Sequence, residues 1–286
     1  MRFCINYNPH SHILNKVDEI NIDYKRVQDI VALNQFCQEH INQRINICVA
    51  EVEEAIAANA VKDLLDFQKK NKDYNIYLRF AFVNNDLKEL LQAYENCKYY
   101  FSIGVNDWDR VMEFISLGVT DIYVVEGLGF EIEQVSNIVH KYGIDVRVYP
   151  NVAQSSWEDL DDLRKFWIRP EDIEYYEQYV DVCELYGQNE KIDILYDIYN
   201  TDKKWFGDLR EIIGGLKDKI DSRYIVPRFV KKRVNCGRSC LKGSSCQLCD
   251  HIKELSGSLE QINMMVTIDK GKENDEWQEE QKPKSK

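Results

Sequence analysis

Leu117-Gly118-Val119-Thr120-Asp121-Ile122-Tyr123-Val124 and Tyr142-Gly143-Ile144-Asp145-Val146-Arg147-Val148 are two copies of one junction. In each, a glycine closes a stretch of helical periodicity, and an aspartate then opens a β-branched run. Glycine can adopt the left-handed conformation that stops a helix at its C′ position, and a strand follows at once. Working outward, the same unit of short β-branched or aromatic run, polar turn and amphipathic helix recurs. It predicts strands at Val17–Tyr24, Ile45–Ala50, Asn75–Phe80, Lys98–Ile103, Asp121–Val125, Asp145–Pro150, Lys165–Arg169 and Asp181–Tyr186. Between them, Val27, Ile30, Val31, Cys37 and Ile41 share one helical face, as do Ile56, Ala60, Val61, Leu64 and Leu65, and Ile132, Val135, Ile138 and Val139.

Strands alternating with helices imply parallel pairing and right-handed crossovers. Eight strands permit closure, so the expected fold is a (β/α)8 TIM-type barrel with a small C-terminal four-cysteine metal-binding subdomain. A doubly wound open sheet stays open as the alternative. Residues 17–217 are assigned to the barrel, and 1–16 to an N-terminal strand or cap, with Arg2–Asn8 as an extra strand over one barrel end. Ile192–Leu216 reads as helical. Residues 218–269 form the basic, cysteine-rich subdomain, and the polar tail 270–286 has too little apolar content to order.

The length of 286 residues suits one such core, and 44% apolar with 30% charged residues is ordinary for a globular chain. No apolar run approaches the roughly 18–20 residues of a membrane span, and the N-terminus lacks the pattern of a secretory signal, so a cytoplasmic protein is expected. The net charge of −12 argues against a surface that coats nucleic acid generally. Between Arg223 and Lys242, however, lie seven basic residues and no acid (Arg223, Arg228, Lys231, Lys232, Arg233, Arg238, Lys242). That block marks a candidate contact for RNA or a nucleotide, and a protein partner is the other candidate.

Of nine cysteines, Cys4, Cys37, Cys48, Cys97 and Cys183 sit singly among apolar neighbours, as small buried hydrophobes do. The other four make Cys236-x3-Cys240-x5-Cys246-x2-Cys249, within fourteen residues. Four soft thiolates on a loop with Gly237, Gly243, Ser244 and Ser245 suit zinc or a [4Fe–4S] cluster. The compact spacing leaves both open. His251 is a weaker substitute ligand, and His10 and His12 read as a solvated turn.

Enzymes of this fold carry their chemistry at the C-terminal ends of the strands. Those ends supply Asp23, Glu51, Arg79, Asn106 or Asp107, Glu126, Asn151 with Gln154, Arg169, and Glu184 with Tyr186. Glu51, Arg79, Glu126, Asn151, Arg169 and Glu184 are the candidate catalytic set, the two arginines being suited to grip carboxylate or phosphate. Asp86 and Asp107 also stand where helix N-caps are expected. The sequence has no P-loop, nucleophile elbow, GxGxxG or HExxH motif.

Lys165–Tyr186 (KFWIRPEDIEYYEQYVDVCELY) and Ser116–Val125 (SLGVTDIYVV) resemble the barrel proteins grouped as peptidase family U32, over about residues 17–186. The resemblance implies an α/β barrel. It also implies, for several members, a cysteine-held iron–sulfur cluster with hydroxylation of RNA bases or quinone precursors, and for others peptidase activity. The cluster cysteines of that family are spread along the barrel, whereas here they share one C-terminal loop.

Overall fold

The computed structural model describes residues 1–153, 162–187, 190–201, 204–234, 236, 249–252 and 254. Nine strands run in chain order as β1 Arg2–Asn6, β2 Glu19–Asp23, β3 Arg44–Val49, β4 Ile76–Phe80, β5 Tyr99–Phe101, β6 Gly104–Val105, β7 Asp121–Val124, β8 Asp145–Val148 and β9 Val182–Glu184. Around them lie α1 Ile30–Glu39, α2 Val52–Ala57, α3 Ala60–Lys70, α4 Asn85–Gln92, α5 Trp108–Leu117, α6 Glu126–Gly129, α7 Ile132–Val139, α8 Glu190–Asn200 and α9 Pro227–Arg233.

The strands form one sheet in the order β5-β4-β3-β2-β1-β9-β8-β7-β6, and neighbouring pairs run parallel. Its two ends, β5 and β6, are consecutive pieces of one stretch, interrupted only at Ser102 and Ile103. Thr120 N donates to Tyr99 O at 2.9 Å and Val125 N to Val105 O at 3.2 Å, so that stretch is laced to β7 from end to end. The sheet therefore curls into an almost closed α/β barrel.

Side chains alternate across each strand. Phe3, Ile5, Ile20, Ile22, Ile45, Ile47, Ile76, Leu78, Ile122 and Val146 are buried outward, under the helices. The inward set is polar: Cys4, Glu19, Asn21, Arg44, Asn46, Arg79, Tyr100, Asp121, Tyr123, Arg147 and Glu184. Its contacts cross the barrel, joining β3 to β7 through Arg44–Asp121, β8 to β2 through Arg147–Glu19, and β4 to β9 through Arg79–Glu184.

Gly118 and Gly143 take φ of 71° and 70° directly after their helical turns, as the junction sequence requires. Two expectations about the wall are corrected together. Arg2–Asn6 is no extra strand or cap; it is a full wall strand between β2 and β9. Lys165–Arg169, expected as the seventh strand, lies in the β8–β9 connection, where Phe166, Trp167 and Ile168 are at most 1% exposed. A short apolar run reads alike as a strand or as buried connection, since periodicity does not separate them. The expected face of α1 is also partly wrong. Of that set Val27 and Cys37 are buried, but Ile30 and Val31 are 57% and 72% exposed, and the helix turns Leu33 and Phe36 to the core in their place. The second helical stretch breaks before α3 at Asn59, whose φ is 56°. Helix α8 ends at Asn200, and Leu209, Ile212 and Ile213 pack in the core from shorter turns.

The buried connection is seated by a glycine. A Cβ on Gly129 would come within 2.5 Å of the Phe166 ring, which is itself fully buried and has no room to turn away. Gly129→Ala should therefore cost about 1–3 kcal/mol of stability, the usual penalty of overpacking. Urea denaturation measures it, and an unchanged midpoint would show that the connection is loosely held.

Candidate functional site

The two ends of the barrel interior differ in construction. The first inward residues of the strands meet in an ion network at the N-terminal end. Arg147 Nη2 lies 2.7 Å from Glu19 Oε2 and its Nη1 2.8 Å from Asp121 Oδ1, while Arg44 Nη2 is 2.5 Å from Asp121 Oδ2. Arg2 closes the layer on Glu19 at 3.0 Å and on Asp145. Three cations and three carboxylates balance there, and the end is filled.

The C-terminal end holds a smaller cluster. Arg79 Nη1 donates to Glu184 Oε1 at 2.9 Å, and its Nη2 to the Tyr149 hydroxyl at 2.7 Å. The Tyr123 hydroxyl donates to the other carboxylate oxygen, Glu184 Oε2. The rings of Tyr123 and Tyr149 stack with centroids 5.0 Å apart, and Cys48 Sγ lies 4.0 Å from Arg79 Nη1. Strand ends set these positions: Arg79 and Glu184 are the last inward residues of β4 and β9, and Tyr149 directly follows β8.

Burial alone would raise the Glu184 carboxyl. The Arg79 and Arg147 guanidinia and the Tyr123 hydroxyl outweigh it and hold the group below the ordinary glutamate value. Burial likewise pushes up the Tyr149 and Tyr123 phenols, with Arg79 opposing, so both stay protonated at neutral pH and can donate. Cys48 is pushed up to about 11 by burial, against the pull of Arg79, and is a thiol rather than a thiolate nucleophile. A guanidinium carries five donors, more than Glu184 and Tyr149 occupy, so Arg79 offers a ligand further N–H groups at the mouth.

Of the five expected catalytic residues whose side chains are described, only Arg79 and Glu184 come together. Glu51 faces solvent in an ion pair with Lys25 at 2.9 Å, which holds its carboxyl below the ordinary value. Asn151 is buried and serves the backbone, donating to Tyr186 O at 2.6 Å and accepting from Tyr186 N at 2.9 Å. Arg169 is withdrawn from the mouth altogether. It grips Asp172 through Nε at 2.6 Å and Nη2 at 2.8 Å, and donates to Ser222 O, because the segment bearing it is not a wall strand. Glu126 begins α6, and its side chain lies outside the described residues, as does Gln154. Tyr123, Tyr149 and Cys48 went unnoticed in the sequence. The signal that marks them is the alternation of polar with apolar residues along RINIC, DIYV and DVRVY, with every second side chain turned inward.

Cys240 and Cys246 lie outside the described residues, whereas Cys236 and Cys249 are described. Both are part-buried against the barrel's own core, with Cys249 Sγ 3.9 Å from Leu163 O. Both bear on one buried cation, Arg233, whose Nη1 donates to Trp167 O at 2.5 Å and whose guanidinium lies 4.1 Å from the Trp167 ring centroid. Arg164 pairs with Asp250 at 2.8 Å, which fastens the segment beside Cys249 to the same connection. The four cysteines are soft sulfur donors of the kind that zinc or an iron–sulfur cluster takes, and two of them pack on the same core. The basic block shrinks accordingly: Arg233 is buried, and Arg223 pairs with Asp221 at the start of its turn. Lys231 and Lys232 are exposed.

No family model matches the chain. An uncharacterized protease of Methanocaldococcus jannaschii is 28% identical over 96 residues, covering 33% of this chain and 28% of that protein's length. Among solved structures, RipC from Yersinia pestis is similar with a TM-score of 0.39 at 10% identity, over 71% of this chain and 94% of that one. The U32 peptidase Mk0906 gives 0.42 at 14% identity, over 66% and 94%. No helix among the described residues is long and apolar enough to cross a membrane. The chain is thus an almost closed α/β barrel with a polar mouth, and over a third of its length it is similar to an archaeal protease.

Proposed function

We propose that the protein is a metal-containing barrel enzyme whose substrate enters the mouth above Arg79, Glu184, Tyr123 and Tyr149. The observation that carries this reading is the Arg79 guanidinium, held by Glu184 at 2.9 Å and Tyr149 at 2.7 Å at the strand ends with donors to spare. In this arrangement Arg79 anchors a carboxylate, carbonyl or phosphoryl oxygen of the substrate. Glu184 fixes the orientation of Arg79, and the Tyr149 phenol supplies a proton to an oxygen on which charge develops. Cys236, Cys240, Cys246 and Cys249 would hold the metal. Four thiolates make a closed structural site for zinc, whereas a [4Fe–4S] cluster would supply one-electron chemistry.

The finer substrate class we favour is a nucleic-acid base or a related small molecule. The half-buried Tyr149 ring offers a planar surface at the mouth, and exposed Lys231 and Lys232 offer phosphate contacts. A second reading, an accessory protein with structural zinc, draws support from the packing of Cys236 and Cys249 against the core.

Titration calorimetry with oxalate and with a single-stranded RNA oligonucleotide at low salt tests the mouth. Oxalate should bind the wild type, weaken about tenfold or more in Tyr149→Phe, which keeps the ring stack but loses the hydroxyl, and fail to bind Arg79→Met. Equal binding by all three proteins would sink the enzyme reading. RNA binding that Lys231→Gln with Lys232→Gln leaves untouched would remove the nucleic-acid reading alone.

A further inference from the structure

At the end of the barrel opposite the mouth, α3, β4 and the start of β5 enclose a cavity of about 340 Å³ lined by Gln68, Lys69, Lys72, Tyr74, Ile76, Glu95, Asn96, Cys97 and Lys98. Three lysines line it, two at the C-terminal end of α3 and one at the start of β5, against one acid, in a chain whose net charge is −12. All three are exposed, and none makes an ion pair among the described residues. Lys69 lies in the last turn of α3, where a cation also suits the helix end, but Lys72 and Lys98 lie outside any helix.

The walls are held in place before any ligand arrives. The buried Gln68 amide donates to Ile76 O and to Lys98 O, each at 2.9 Å, and its oxygen accepts from Lys98 N at 3.0 Å. One side chain thus ties the helix to both strand starts. Tyr74 is fixed through its hydroxyl on Asn34 Oδ1 at 3.0 Å. Lys98 Nζ stands 5.0 Å from the Tyr77 ring centroid, which orients the ammonium without neutralising it.

We propose that this cavity is a second binding site, for a small phosphorylated metabolite whose phosphate lies among Lys69, Lys72 and Lys98. Ammonium groups act as point charges suited to a phosphate dianion, whereas planar carboxylates are the usual partners of arginine forks. The volume falls in the range of small-molecule sites and exceeds what phosphate alone would fill. Tyr74 and Ile76 give the body of the ligand an apolar wall, and Glu95 and Asn96 offer partners for its hydroxyls. A concave site of this size excludes a duplex or a folded partner.

Calorimetry at low salt with inorganic phosphate, ribose 5-phosphate and adenosine 5′-monophosphate, each up to millimolar concentrations, decides the matter. At least one ester should bind more tightly than inorganic phosphate, and Lys72→Gln with Lys98→Gln should weaken it by about tenfold or more, since each charged hydrogen bond is worth that much. Arg79→Met should leave this binding unchanged, which separates it from the mouth. Absence of binding by all three probes would overturn the proposal. So would equal affinity for esters and free phosphate, or full affinity in the double lysine variant with an unchanged melting temperature.

Discussion

Arg147→Met is expected to destabilise the barrel by about 3–5 kcal/mol, the cost of leaving buried charges without their partner. Arg147 is completely buried and bridges Glu19 across the barrel at 2.7 Å and Asp121 on the neighbouring strand at 2.8 Å. The layer it belongs to balances Arg2, Arg44 and Arg147 against Glu19, Asp121 and Asp145. Methionine fills similar space but leaves one negative charge in excess. In thermal unfolding the loss should appear as a fall of roughly 6–20 °C for a chain of this size. Arg147→Lys should fall between the two, because a single ammonium lacks the fork that reaches both carboxylates.

The deficit should also depend on pH, with a definite sign. Burial would raise the Asp121 carboxyl, but Arg44 and Arg147 overcome it and hold the group below its ordinary value. A carboxyl so depressed stabilises the fold above its unfolded value, and that contribution is lost as pH falls through the folded value. The gap between wild type and Arg147→Met should therefore be full at neutral pH and narrow below about pH 4. A gap under about 1 kcal/mol at pH 7 would mean that the network is decorative, as many surface pairs are.

Much of the wall was legible because its strands are punctuated. Gly118 and Gly143 stop their helices in the left-handed conformation, and β7 and β8 begin within three residues. Eight strands were expected and nine are formed: Arg2–Asn6 takes the place of Lys165–Arg169, and the stretch from Lys98 divides into β5 and β6. RFCIN places two polar residues and a cysteine inward, which makes it look weak as a strand until the barrel interior is known to be polar. KFWIR looks strong because it is apolar, yet it is apolar as a buried connection packed on Gly129 and Arg233. The same inversion explains the site. Strand ends identified Arg79 and Glu184, but choosing polar residues at the rim also collected Glu51, a solvent-facing ion pair, and Asn151, a backbone clamp. Tyr123 and Tyr149 were hidden among aromatic residues that strands favour in any case. Only a register that sets Tyr123 beside Arg147 on the inner face shows their role.

On the proposal that the four cysteines hold a metal, Cys236→Ser should reduce the metal content of protein purified without oxygen from stoichiometric to near zero. Cys236 and Cys249 are thirteen positions apart, yet both pack on the same core and both bear on Arg233. Serine at one of four ligand positions opens the coordination shell, and the binding free energy of such a site is also folding free energy. The segment at Cys249, with Ile252 buried at 2% exposure and Asp250 paired to Arg164, should then detach from the β8–β9 connection and lower the melting temperature. Cys97→Ser is the matched control, since that half-buried cysteine lies at the opposite end of the barrel and should keep full metal. The absorption spectrum of the wild type separates a coloured cluster from colourless zinc, and the serine variant should lose whichever is present. Wild-type protein without stoichiometric metal, or a Cys236→Ser variant that retains it, would leave the four cysteines without a metal role and remove the metal from the proposed chemistry.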